Sequence, residues 1–185
     1  MKHNYAAMFV ILALLLYPSS LQGGSVVHLH LADLPSLRVK VVTGALRFEP
    51  IPSLNIDRLG GLLETRVATI LSKGGVGVSR DSRHEVVVVI EHQWGAESKS
   101  LVAIAVTLKL VQPSFLPNHC GDVERAAVWV TSWEERRLLL VPPAEAEGRI
   151  TESVEIAADA FAGAVRAARY YANENSTSKA PPAPK

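Results

Sequence analysis

The sequence predicts an α+β domain of order β-α-β-β-β-α, in which a mainly antiparallel four-stranded sheet carries two helices on one face. Three observations predict it. Apolar residues recur at helical spacing in two separate stretches, from Leu59 to Leu71 and from Val154 to Ala168. Between them lie a β-branched run, Val86 to Ile90, and an alternating run, Leu101 to Val111. Prolines and glycines punctuate the joints at Pro50, Pro52, Gly74-Gly75, Pro113, Pro117 and Pro142-Pro143.

Each element follows from its own pattern. Leu37, Val39 and Val41 alternate with Arg38 and Lys40, a period of two that marks a first strand from Leu37 to Phe48 with one wet face and a bulge at Gly44. Ser53 or Asn55 then offers an oxygen to the free amides of a first helical turn. Leu59, Leu62, Leu63, Val67, Ile70 and Leu71 form the apolar stripe of that helix, and Lys73-Gly74-Gly75 ends it. Gly60-Gly61 inside the helix costs stability, which a close approach to the sheet or a frayed first turn would explain.

Val76 to Ser79 reads as extended chain, and Val86 to Ile90, apolar on both faces, as a central strand. A polar turn leads to the Leu101 to Val111 strand, which pairs with it as an antiparallel hairpin. A further strand runs from Val123 to Trp133, and Leu138 to Val141 either extends it or forms a short strand of its own. Thr151 is a cap for the last helix, which runs to about Ala172 and places its acids early and its bases late, as the helix dipole favours.

The chain has 185 residues, enough for one domain. Its first part reads as a signal peptide over residues 1–24: Lys2 precedes the apolar run from Ala6 to Leu16, and small residues follow. That run is shorter than the roughly 20 residues a membrane span needs. A single domain over residues 25–172 follows, then a Pro- and Ser-rich tail over 173–185 that is expected to be disordered. The expected location is therefore secreted or periplasmic, with no membrane-spanning segment after cleavage.

Lys and Arg number 19 against 18 Asp and Glu, a formal net charge of +1, so no single-sign field favours nucleic acid. One cysteine makes no internal disulfide, and the core must hold by packing.

Three groups of residues are candidates for function. Cys120 in Pro117-Asn118-His119-Cys120-Gly121-Asp122 is a candidate reactive thiol, with His119 as base. Neighbouring side chains on an extended segment point opposite ways, however, and Pro, Asn, Gly and Asp are turn formers, so the stretch reads as a loop. His28, His30, His84, His92 and His119 lack the paired spacings of a zinc site, and no metal or other cofactor is expected. Trp94, Trp129 and Trp133 are stacking candidates, and Trp129 and Trp133 on an uncovered sheet face would form a partner-binding surface. Glycine-rich phosphate loops and serine-nucleophile signatures are absent from the sequence, and no catalytic residue is assigned.

Four stretches carry a resemblance: Leu59 to Val67 with Ile70 to Val78, Val106 to Pro113, Ala127 to Trp133, and Phe161 to Asn175. Together they resemble a widespread set of exported bacterial proteins of unknown function that share a β-α-β-β-β-α domain. Gly75-Val76 stands where that set has Gly-Ile, and the stretch from Leu110 to Asp122 carries an added His-Cys. The architecture also resembles auxiliary lipoproteins of envelope transport and lipopolysaccharide assembly, without their lipid-bearing cysteine. The resemblance implies work in the cell envelope and transfers no functional residue.

The expectation is a non-catalytic binding or accessory module whose partner is an envelope protein or component. The alternatives are a hydrolase or transferase using Cys120 and a self-associating structural subunit.

Overall fold

The computed structural model describes residues 29–43, 46, 51–94, 100–115 and 127–177. The elements are β1 (Arg38–Val42), α1 (Ile56–Lys73), β2 (Glu85–Trp94), β3 (Val102–Phe115), β4 (Ala127–Val141) and α2 (Ala146–Thr177). Short 3-10 turns at Leu29–Leu31 and Pro143–Glu145 precede β1 and α2. The order is the expected β-α-β-β-β-α, and the class is α+β.

The strands lie in sequence order across one four-stranded sheet. β1 runs parallel to β2, with Arg38 beside Glu85, because α1 carries the chain back between them. The two other pairings, β2 with β3 and β3 with β4, are antiparallel.

α1 starts where Asn55 Oδ1 accepts from the Arg58 amide at 3.0 Å, so Asn55 is the cap. Its end is a Schellman turn. The Val76 amide donates to the Leu71 carbonyl at 2.9 Å, the Gly75 amide to Ser72 at 3.0 Å, and Gly75 takes the left-handed conformation at φ +80. Val76 and Leu71, the two residues bracketing this turn, are both buried.

α2 begins at Ala146 and not at Thr151, whose hydroxyl instead donates to the Glu147 carbonyl inside the helix. Pro142 is held extended and Pro143 opens the preceding turn, so the chain is already turning before Thr151. The helix also continues past Ala172 to Thr177. At 32 residues it is about 48 Å long.

Both helices cover one sheet face. Leu59, Leu63, Val67 and Leu71 of α1 and Ile150, Val154, Phe161 and Val165 of α2 meet Val86, Val88 and Ile90 of β2 and alternate residues of β3 from Val102 to Leu110. The helices run side by side in the same direction, tied by ion pairs from Arg58 to Glu147 and from Arg66 to Glu155. Arg169 closes the far end, donating to the carbonyls of Gly75 at 2.7 Å and Ala32 at 3.3 Å.

The first strand is shorter than expected, ending at Val42, and Gly44 lies outside the described residues. Val78 meets Leu37 in a single parallel bridge and forms no strand. Leu138 to Val141 belongs to β4, which is one long strand.

Candidate functional site

Among the described residues no helix covers the sheet's other face, and the composition of that face is set by the period of two. Residues of β3 alternate strictly: Val102, Ile104, Val106, Leu108 and Leu110 are buried under the helices, while Ala103, Ala105, Thr107 and Lys109 face outward. Beside them β4 turns out Glu134, Arg136, Leu138 and Leu140. Leu138 is 69% exposed and Leu140 63%. Exposure of that size is unusual for leucines on a regular strand whose opposite face is packed.

A bulge decides which tryptophan joins this surface. Leu110 pairs with Trp133 but Val111 pairs with Thr131, so Ser132 is an extra residue that reverses the facing of everything before it in β4. Its hydroxyl is held by the Gln112 side-chain carbonyl at 2.8 Å. Trp133 consequently sits on the covered face, its ring against Phe161 at 4.9 Å in an edge-to-face arrangement. Trp129 lies on the open face and is 58% exposed. Four residues of spacing would put both on one face without the bulge.

The open face divides into two regions. Near β1 it is charged: Arg38 pairs with Glu85, and Val87, between Lys40 and Lys109 of the neighbouring strands, is buried. Towards β4 it forms a shallow concavity of about 390 Å³, whose floor includes Ala103, Ala105, Leu138 and Leu140. Glu91 and Arg136 stand over it with charged atoms 3.9 Å apart, a separation at which an exposed pair contributes little. An apolar floor with a thin charged rim suits an amphipathic surface better than a small polar molecule.

Cys120, His119 and Asp122 lie outside the described residues, as do His28 and the stretch expected to be a signal peptide. His30, His84 and His92 stand apart, and among the described residues no group of three or more metal-binding side chains gathers. His92 turns to the covered side, edge-on to Trp94 at 6.4 Å. No helix among the described residues is long and apolar enough to cross a membrane.

At the end of α2, Tyr170 and Tyr171 are exposed. Tyr170 donates to Glu174 at 2.7 Å, and that hydrogen bond, followed by slight desolvation and the neighbouring Tyr171, holds its phenol above its ordinary value.

Among the described residues, fold and surface together define a two-layer α+β domain with one helix-covered sheet face and one uncovered, partly apolar one. No family model and no curated protein matches the sequence. Among solved structures, rare lipoprotein B from Shewanella oneidensis is similar at 15% identity and a TM-score of 0.28, over 77% of this chain and 99% of that one. A likeness at that level carries no argument about this chain.

Proposed function

We propose that the protein is a non-catalytic binding module of the cell envelope, periplasmic or secreted, that holds its partner on the bare half of the sheet beside β4. The observation that supports this reading is the exposure of Leu138 and Leu140, with Trp129 further along the same strand, on the sheet face opposite the helices. A partner with an apolar strip and a few polar groups at its margin fits the Ala103–Ala105 floor and the Glu91–Arg136 rim. The apolar run near the start of the chain supports export to that compartment.

Site-specific photocrosslinking in cells tests it. A photoreactive residue at position 138 or 129 is expected to give one discrete adduct with an envelope component, and the same residue at Thr69, on the outer side of α1, to give none. Equal labelling from all three positions, or none from any, overturns the proposal.

A further inference from the structure

We propose that β4 is an interface between two copies of this chain, joined edge to edge about a two-fold axis perpendicular to the sheet, so that two four-stranded sheets become one. The inference does not rest on the partner of the open face, which stays accessible in such a dimer.

β4 is a sheet edge of 15 residues, and no described segment pairs with its outer side. Such an edge carries a row of backbone donors and acceptors that another strand can complete. The opposite edge is unsuited. β1 has five residues, alternates Arg38 and Lys40 outward, and its start is already paired, the Leu37 amide donating to Gly77 at 2.8 Å and the Ser79 amide to Leu37 at 2.9 Å.

The charges on β4 favour a second copy over an unrelated strand. Its middle reads Glu134-Glu135-Arg136-Arg137, a neutral block with acids first and bases last. A two-fold axis perpendicular to the sheet requires residues facing each other to lie on the same face. With the axis at Arg136, Glu135 faces Arg137 of the second copy and Arg137 faces its Glu135, both on the helix-covered side. The two Arg136 side chains then face each other on the open side, where both are exposed and each has Glu91 of its own copy and Glu134 of the opposite copy beside it. Centring on Glu135 gives as many opposite-charge pairs, but it places its like pair, the two Glu135 carboxylates, on the half-buried helix-covered side instead of in water.

Both residues are open to such a pairing. Among the described residues neither Glu135 nor Arg137 has an ion pair or hydrogen-bonding side-chain partner, and both are only half-buried. Trp133 would meet Leu139 of the second copy on the same side. Beside the edge, a groove of about 440 Å³ between β4 and α2 includes Arg137, Leu139, Glu152 and Ile156, and Ile156 is 45% exposed there.

Sedimentation equilibrium on the purified full chain, with a thiol reductant present so that Cys120 cannot link copies, reads the association directly. The expected result is a mass rising from one copy to two with concentration. Glu135→Arg and Arg137→Glu are each expected to weaken the dimer about tenfold or more, since each sets like charges opposite one another twice. The double variant carrying both substitutions restores the original affinity, which separates lost pairing from lost folding. In a Cys120→Ser background, Arg136→Cys links to itself under mild oxidation whereas Leu138→Cys, two positions off the axis, does not. A monomer at every concentration, a dimer indifferent to the charge substitutions, or equal linking at positions 136 and 138 overturns the proposal.

Discussion

Trp129 and Trp133 are the same residue type in the same strand, yet their surroundings assign them opposite roles. Trp133 packs on Phe161 inside the domain, and Trp129 stands in water. Trp133→Ala is therefore expected to lower stability by about 2 kcal/mol or more, through lost contacts and a cavity beside Phe161. Trp129→Ala is expected to change it by no more than about 0.5 kcal/mol. Urea unfolding midpoints of the two variants decide this, and equal losses would mean that the bulge at Ser132 is misplaced. The pattern of the sequence pointed to this strand and its aromatic residues but not to their division. A one-residue insertion leaves no mark on composition or on alternation over so short a run; here only the pairing with β3 exposes it.

At the scale of elements, α1 and its C-cap carry two kinds of glycine that look alike in the sequence. A Cβ built on Gly60 or Gly61 meets nothing within 4 Å, so neither a close approach to the sheet nor crowding accounts for them. Gly60→Ala and Gly61→Ala are each expected to stabilise the protein by about 0.5–1 kcal/mol, since alanine removes backbone freedom from the unfolded chain. Gly74, at the end of the same helix, is the tight position: an added Cβ would come 2.7 Å from the Cβ of Ala162 in α2. Gly74→Ala is expected to destabilise by about 1–3 kcal/mol by forcing the helices apart. Thermal melts of the three single variants check both signs, and a loss at Gly60 would show a contact at that position.

The existence of α1 was legible because its apolar stripe repeats through three turns, and the Asn55 cap and glycine stop bound it clearly. The start of α2 was not, since Ala146 to Ile150 carries only the two apolar residues that end up buried, too few to show a period before Thr151.

For the molecule as a whole, burial is concentrated in the two central strands and in the helices as far as Ala168. Beyond Ala168, α2 has no buried residue among those whose burial is described, although Arg169 still reaches Gly75 and Ala32. Native-state hydrogen exchange is expected to find the amides of β2 and β3 opening only with global unfolding, and those from Tyr171 to Glu174 opening locally and much faster. Uniform protection along α2 would contradict that division.

Taken alone, the sequence determined the class, the element order and the one-sided burial, because hydrophobic period is a local property that each segment carries within itself. It also located the one thiol and the apolar run from Ala6 to Leu16, both beyond the described residues. Tertiary structure decided what depends on pairing across the sheet: the parallel seat of β1, the facing reversed at Ser132, the Arg38–Glu85 pair on the open face, and the edge that β4 presents. Register and neighbourhood are relations between distant segments, and a residue acquires them only when the strands on either side are in place.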